Sequence, residues 1–156
     1  MTEERNLTRV LLVDDQELFR RGVTMVLGAD GDFEIEDVDD GEQAIERMTA
    51  DPFDVVLLAV RMPGRSGVEV CADIKAIAPT TGIIMLTASD EEADLYESIR
   101  AGASGYLLKD GSTYDQVAEA VRVVAGGQSL ISPAMATKLL DEFVQMSRDP
   151  VQSTSL

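Results

Sequence analysis

Residues 54–67 read DVVLLAVRMPGRSG, and this stretch decides which fold the chain can adopt. Its first part, from Val55 to Val60, is apolar at every position, whereas a strand with one solvated face would alternate apolar and polar side chains. A short run of this kind, ended by the turn residues Met-Pro-Gly, predicts a strand buried on both faces at the centre of a parallel sheet. Ala59 lies where this strand reaches the surface, a position that often carries chemistry.

Shorter apolar runs alternate with amphipathic stretches along the rest of the chain. Five strands that alternate with five helices predict parallel β-α units, and right-handed crossovers place helices on both faces of the sheet. The predicted fold is therefore a doubly wound α/β domain. The predicted strands are residues 10–13, 33–38, 55–60, 83–86 and 105–108, and the helices follow them at about residues 17–27, 42–49, 66–78, 90–100 and 113–126.

Polar residues stand at the starts of two of these helices. Ser66 is followed by Glu69, which is the spacing of a capping box. Ser112 or Thr113 is placed to cap the fifth helix. Both helices therefore have defined starting points just after a strand end.

The chain continues beyond the fifth helix. Ser132-Pro133 opens a sixth amphipathic stretch, and the residues from Ser147 onward are polar. We therefore predict one domain at residues 1–128, followed at residues 129–156 by a linker helix and a mobile tail.

The composition narrows the functions that the chain can have. It contains 29 acidic and 13 basic side chains, a net charge of −16, and such a surface repels DNA and anionic lipid. The single cysteine, Cys71, cannot form an internal disulfide, which fits a cytoplasmic protein. The N-terminus has no apolar signal core, and no apolar stretch approaches the ~18 residues of a membrane span. Without histidine, chemistry has to use carboxylates, hydroxyls, lysine or a hard metal ion.

Ligands of an open parallel sheet bind beyond the carboxyl ends of its strands, so the residues that end each strand form the candidate site. The first strand ends at Asp14-Asp15, the third at Ala59, the fourth at Thr87 and the fifth at Lys109. Adjacent carboxylates suit Mg²⁺, and a hydroxyl and an ammonium group at neighbouring strand ends suit a phosphoryl group. A nucleophilic carboxylate to receive that group belongs on the central strand, where the sequence has Ala59.

Nearly the whole chain resembles the receiver domain of bacterial response regulators. The resemblance lies in VLLVDDQELFRRGV at residues 10–23, the MP…G loop after the third strand, LTAS at 86–89 and GYLLKD at 105–110. Residues 106–133, YLLKDGSTYDQVAEAVRVVAGGQSLISP, look like the LuxR/NarL subfamily, in which a helix-turn-helix DNA-binding domain follows the receiver. The resemblance implies a flavodoxin-like (βα)5 fold with strand order 2-1-3-4-5 and a C-terminal linker helix.

The resemblance also implies roles for individual residues. Asp14 and Asp15 match the acidic pair that binds Mg²⁺, and Arg61 matches the residue whose backbone carbonyl binds the same ion. Lys109 matches the lysine that contacts the phosphoryl group. Ala59 occupies the position of the phosphoacceptor aspartate, and there the sequence departs from the family pattern.

Two further positions match the switch residues of receiver domains. Thr87 matches the hydroxyl that reports phosphorylation, and Tyr106 matches the aromatic side chain that turns inward on activation. Without a phosphoryl oxygen to bind, Thr87 has no reason to move inward. We therefore expect a resting arrangement with Tyr106 turned outward.

Ala59 removes the activity that defines the family, because a methyl group has no lone pair to attack phosphorus. Mg²⁺ binding is expected to be weak or absent, since one of three anionic ligands is missing. Lys109 loses its usual carboxylate partner and is expected to turn to Asp14 or Asp15. Two origins of Ala59 stay open. An engineered replacement of aspartate is favoured by the intact remainder of the site, and the alternative is a natural atypical receiver.

Three classes of function follow from these features. The first is the input domain of a transcription regulator, which is not an enzyme and is silenced here by Ala59. The second is a phosphate-independent interaction or ligand-binding module. The third, a phosphohydrolase with Asp14 as nucleophile, is disfavoured because the acids are adjacent rather than spaced one residue apart.

The resemblance implies a sensor histidine kinase as partner, docking near the helix after the first strand, and a homodimer formed through a helix face. No contact with membranes or, by this chain alone, with nucleic acid is expected, because DNA binding belongs to a C-terminal domain absent from the chain. The dimer face is expected on the sixth helix or on four apolar residues of the fifth, and the alternative is that these four residues belong to the core: Val117, Ala120, Val121 and Val124.

Overall fold

A computed structural model describes residues 7–88, 92–131 and 133–148 of the chain. Five strands form one parallel sheet of order 2-1-3-4-5 with helices between them, which confirms the predicted fold. Within these ranges, no helix is long and apolar enough to cross a bilayer. The strands are β1 (Thr8–Val13), β2 (Phe33–Val38), β3 (Val55–Leu58), β4 (Gly82–Thr87) and β5 (Gly105–Leu108). The helices are α1 (Glu17–Ala29), α2 (Gly41–Ala50), α3 (Gly67–Ile77), α4 (Glu92–Arg100), α5 (Tyr114–Ala125) and α6 (Pro133–Arg148).

The strand β3 is the centre of the sheet, as its uninterrupted apolar sequence predicts. It pairs with β1 on one side and β4 on the other, and all four of its residues are buried. The strand ends at Leu58, two residues earlier than predicted. The backbone N–H of Ala59 nevertheless donates to the Val13 carbonyl oxygen at 3.0 Å, so Ala59 continues the line of the strand.

The two faces of the sheet carry separate hydrophobic clusters. Val56 and Leu58 point into the first cluster, which α2, α3 and α4 cover, whereas Val55 and Leu57 point into the second, which α1 and α5 cover. The sequence leaves the apolar residues of α5 open as a dimer face or as core, and the structure places them in this second cluster. These residues are buried and stabilise the domain itself: Val117, Ala120, Val121 and Val124.

The loop between β3 and α3 is fixed by a helix cap and by a close backbone contact. Ser66 Oγ accepts a hydrogen bond from the Glu69 N–H at 3.3 Å, the predicted N-cap bond. The N–H of Gly67 donates to the Val60 carbonyl oxygen at 2.7 Å. A Cβ atom at Gly67 would lie only 1.9 Å from the carbonyl oxygen of Ala59, so glycine alone fits there. The loop is therefore folded back tightly against Ala59.

The helix α5 begins with a complete capping box. Thr113 Oγ1 accepts a hydrogen bond from the Gln116 N–H at 3.1 Å, and Gln116 Oε1 accepts one from the Thr113 N–H at 2.8 Å. Thr113, and not Ser112, is therefore the cap. The bonds fix the end of the loop that begins at Lys109.

The chain rejoins the sheet before α6 begins. The N–H of Leu130 donates to the Ser104 carbonyl oxygen at 2.8 Å, and Leu130 forms a bridge with Gly105 at the start of β5. The helix α6 then packs on α4, with Met135 and Leu139 against the first cluster. The sixth helix expected from the sequence thus lies on the domain, while the polar tail at residues 149–156 lies outside the described residues.

We predict that Gly67→Ala lowers the free energy of unfolding by about 2–4 kcal/mol, because the added methyl group collides with backbone atoms that cannot move aside. Urea unfolding followed by far-UV circular dichroism measures this loss. Gly28→Ala is the matched control, since its Cβ would lie 3.7 Å from a methyl group of Ile35, an ordinary contact. Stability of the control should be unchanged or rise by up to about 1 kcal/mol. Equal stability of the two variants would contradict the close contact at Gly67.

Candidate functional site

The residues predicted at the carboxyl ends of the strands lie along one edge of the sheet. Asp14 and Asp15 follow β1, Ala59 follows β3, Thr87 ends β4 and Lys109 follows β5. The backbone N–H of Lys109 donates to the Thr87 carbonyl oxygen at 2.7 Å, and Lys109 Nζ lies 2.7 Å from Asp14 Oδ2. These contacts connect the end of β5 to the ends of β4 and β1.

The two adjacent acids have different surroundings. Asp14 is only 1% exposed, whereas Asp15 faces solvent. Asp14 Oδ1 accepts a hydrogen bond from the Gln16 N–H at 2.9 Å, which fixes the carboxylate just before α1. The guanidinium group of Arg20 donates to the Asp14 carbonyl oxygen at 2.9 Å and to Asp37 Oδ2 at 2.8 Å. Asp14 is therefore held on both its backbone and its side chain.

The ammonium group of Lys109 has three partners. Besides pairing with Asp14, it donates to Gln16 Oε1 and lies 4.4 Å from the centroid of the Phe19 ring. The atoms of the pair between Lys109 and Asp14 are close but not aligned as a hydrogen bond, so the attraction is mainly Coulombic. The expectation that Lys109 turns to one of the two acids is confirmed.

Sequence reasoning does not identify Gln16 and Phe19 as parts of the site. Both lie in the motif VLLVDDQELFRRGV, and their spacing of three residues places them on one side of the first turn of α1. That spacing is the sequence signal from which these two residues could have been identified. The partner, Lys109, lies 93 residues beyond Gln16 and is reached only once the strand order is known.

The Arg61 side chain connects the loop after β3 to α4. Its guanidinium nitrogen lies 2.6 Å from Asp94 Oδ2, and the Asp94 side chain is mostly buried. The pair fixes the position of this loop relative to α4. The role of the Arg61 backbone carbonyl as a metal ligand stays a prediction.

The prediction that Tyr106 turns outward is wrong. Only 2% of this residue is exposed, and it belongs to the same cluster as Leu95 of α4. Met135 and Leu139 of α6 pack against that cluster, and Met135 lines a groove together with Tyr106, so α6 lies beside this residue. The periodicity of α6 predicts a helix but does not predict that the helix docks beside the cluster that contains Tyr106.

The resemblance to receiver domains implies a Mg²⁺ ion at this edge of the sheet. The side chains found there fit such an ion only poorly. Magnesium takes oxygen ligands, with carboxylates supplying the charge. One oxygen of Asp14 accepts the bond from Gln16 and the other lies against Lys109, which leaves Asp15 as the acid facing solvent. Among the described residues, no three acidic, cysteine or histidine side chains are grouped to hold a metal. An ion here would have to displace Lys109 from Asp14.

The sequence matches the family model of the response regulator receiver domain over residues 10–122. The transcriptional regulatory protein DegU of Brevibacillus brevis is 34% identical over 151 residues, which cover 96% of this chain and 64% of the relative. The probable transcriptional regulatory protein NarL of Mycobacterium tuberculosis is 37% identical over 138 residues, which cover 88% of this chain and 63% of the relative. The chain thus spans less than two thirds of the length of these two relatives.

Solved structures of response regulators also match this chain. The signal receiver domain of the response regulator NarL from Mycobacterium tuberculosis superposes with a TM-score of 0.75 at 38% identity, covering 79% of this chain and 99% of that chain. A LuxR-family DNA-binding response regulator from Staphylococcus aureus has a TM-score of 0.71 at 27% identity, over 76% of this chain and 99% of that chain. Both the sequence and the fold are therefore similar to response regulators along most of the chain.

We predict that Lys109→Met lowers the free energy of unfolding by about 2–3 kcal/mol, because it leaves the Asp14 carboxylate buried without a cation. Adding Asp14→Asn to that variant should recover most of the loss, since the unpaired charge is then removed as well. Urea unfolding of the parent, both single variants and the double variant gives the coupling free energy, which we expect to exceed about 1 kcal/mol. Additive effects of the two substitutions would contradict the ion pair.

Proposed function

This chain belongs to the response regulator receiver domain family, and we propose that it is the input domain of a LuxR/NarL-type transcription regulator that cannot form an aspartyl phosphate. Its relatives are named as transcriptional regulatory proteins. We assign DNA binding to a separate domain, because a net charge of −16 disfavours contact of this chain with DNA. The role of the chain itself is to present a signalling state to that domain.

The observation that carries this proposal is the position of Ala59. Its backbone continues the central strand β3, between the strand ends that carry Asp14 and Thr87. Transfer of a phosphoryl group to the chain needs a nucleophilic oxygen on this strand, and a methyl group has none. The residues that would surround a phosphoaspartate are otherwise present: Asp14, Asp15, Thr87 and Lys109.

We favour an engineered replacement of aspartate at position 59, because a site abandoned in evolution should have lost more than one member. The alternative is a natural receiver that works through protein contacts or a ligand without phosphate. One observation supports that alternative: Lys109 is already neutralised by Asp14 and so does not need a phosphoryl group to balance its charge. Reversion of Ala59 separates the two.

The remaining parts of the proposal follow from the receiver role. A sensor histidine kinase is the partner that supplies the phosphoryl group to an intact site, and the regulator acts as a homodimer in the cytoplasm. A phosphohydrolase that uses Asp14 as nucleophile is disfavoured, because this carboxylate is buried and already engaged by Lys109 and Gln16. We therefore assign the chain no enzymatic activity of its own.

We predict that Ala59→Asp enables the chain to accept one phosphoryl group from acetyl phosphate, whereas the unsubstituted chain accepts none. The restored carboxylate would attack phosphorus and release acetate, which the methyl group of Ala59 cannot do. Intact-mass spectrometry after incubation with acetyl phosphate and Mg²⁺ counts the groups transferred. Ala59→Asn is the matched control, since it has the size of the aspartate variant without its nucleophile. An adduct on the unsubstituted chain, or none on the Ala59→Asp variant, would contradict the proposal.

The same set of variants tests the metal site. We expect Ala59→Asp to bind Mg²⁺ at least ~10-fold more tightly than the unsubstituted chain, because affinity follows the number of anionic ligands. Isothermal titration calorimetry measures both dissociation constants. The Ala59→Asn variant, which adds no charge, should behave like the unsubstituted chain. Equal affinity of the aspartate and asparagine variants would argue against the predicted ligand position.

A further inference from the structure

The site at the carboxyl ends of the strands contains a cation of its own. Of the two Asp14 carboxylate oxygens, Oδ1 accepts the hydrogen bond from the Gln16 N–H, and the buried Oδ2 lies 2.7 Å from Lys109 Nζ. The Lys109 side chain is only 13% exposed. The ammonium group therefore covers the oxygen of Asp14 that a metal ion would use.

The formal charges at this edge explain why one ammonium group is sufficient. Asp14 and Asp15 carry two negative charges, and Lys109 carries one positive charge. A third carboxylate, at position 59, would leave an excess of two negative charges, which is the charge that a divalent ion balances. With Ala59, Lys109 neutralises the buried acid, and the remaining charge lies on Asp15, which faces solvent. A divalent ion would therefore overcompensate this site.

Two side chains of the segment that leads into α1 hold the ammonium group of Lys109 in place. Gln16 Oε1 accepts a hydrogen bond from it, and the centroid of the Phe19 ring lies 4.4 Å from Nζ. The negative face of an aromatic ring attracts a cation at this distance. A Mg²⁺ ion keeps several of its waters and so cannot make the same direct contact with the ring. These surroundings favour an ammonium group over a hydrated divalent ion.

We propose that Lys109 is the resident counter-cation of this site and excludes Mg²⁺ by occupying its place on Asp14. Lys109 is tethered to the chain, so it competes at an effective concentration that dilution does not lower. A Mg²⁺ ion that displaces it leaves a half-buried ammonium group without its carboxylate, which weakens binding of the ion. The inference rests on the proposed function, in which Ala59 lacks the carboxylate, and it names the residues that replace the metal: Lys109, Gln16 and Phe19.

A missing ligand at position 59 would weaken Mg²⁺ binding by itself, so the two causes have to be separated. If the absent carboxylate were the only cause, removal of Lys109 would leave Mg²⁺ binding as weak as before. If the ammonium group excludes the ion, removal of Lys109 frees Asp14 and Mg²⁺ binds more tightly, although position 59 is still alanine. The affinity of Lys109 variants for Mg²⁺ therefore decides between the two causes.

Isothermal titration calorimetry of the full chain with MgCl₂ at ~0.15 M ionic strength tests the proposal. We expect Lys109→Ala to lower the Mg²⁺ dissociation constant at least ~10-fold, because it opens a carboxylate and the room for a hydrated ion. Lys109→Arg keeps the charge and should bind Mg²⁺ as weakly as the parent. Arg21→Ala is the matched control for net charge, since this side chain is 72% exposed on α1, and it should leave the constant unchanged.

Two further variants locate the effect within the site. Adding Asp14→Asn to Lys109→Ala should abolish the gain in affinity, since the freed carboxylate is then absent. Phe19→Leu changes no charge and should lower the Mg²⁺ dissociation constant by about 2- to 5-fold, because Lys109 loses its contact with the ring. Phe19→Leu leaves the buried ion pair in place, so it tests the proposal even where Lys109→Ala does not fold.

Three results would overturn the proposal: a parent chain that binds Mg²⁺ as tightly as Lys109→Ala, no gain in Phe19→Leu, or an equal gain in Arg21→Ala. All of these variants keep Ala59 and need no phosphodonor, so the outcome is independent of phosphoryl transfer. Equal affinity of the parent and Lys109→Ala, together with phosphorylation of the Ala59→Asp variant, would refute the internal cation and leave the proposed function standing. A phosphoryl adduct on the parent would do the reverse.

Discussion

The ion pair between Lys109 and Asp14 is the interaction on which the arrangement of the site depends. The strand order places β1 and β5 three strand spacings apart, which is about 14 Å. The pair therefore forms only because the long side chain of Lys109 reaches back over the ends of β4 and β3. A methyl group at Ala59 leaves this path open, whereas a carboxylate there would compete with Asp14 for the same ammonium group. Under the proposed function, the residue that lacks the nucleophile is thus also the residue that leaves room for this ion pair.

Burial explains why Asp14 requires this partner. Moving a carboxylate out of water is unfavourable unless hydrogen bonds and an opposite charge compensate it, and Asp14 receives a hydrogen bond from Gln16 and a charge from Lys109. The ring of Phe19 further stabilises the ammonium group at 4.4 Å. The buried charge of Asp14 is consequently compensated by side chains and backbone of the site itself. A ligand that binds the Asp14 carboxylate therefore has to displace Lys109, and a ligand that binds the Lys109 ammonium group has to displace Asp14.

The sequence predicts the parts of this structure that depend on local patterns. The apolar run of β3 predicts the central strand, and Ser66 predicts the start of α3, because both signals lie within a few residues of their effect. The buried state of Tyr106 depends on tertiary packing in the first cluster, which periodicity does not encode. For the same reason the apolar positions of α5 can be read equally as a contact face or as core until the sheet order is fixed. Gln16 and Phe19 escape detection because their partner lies on a distant strand.

The helix α6 is only partly covered by its own domain. Met135 and Leu139 pack against the cluster that contains Tyr106, whereas Leu140, Phe143 and Val144 further along the helix stay exposed. A contact that shifted α6 would therefore also disturb this cluster, and by linkage a change in the cluster would affect that contact equally. Tyr106 is already buried in this single chain, although Ala59 offers no oxygen to receive a phosphoryl group.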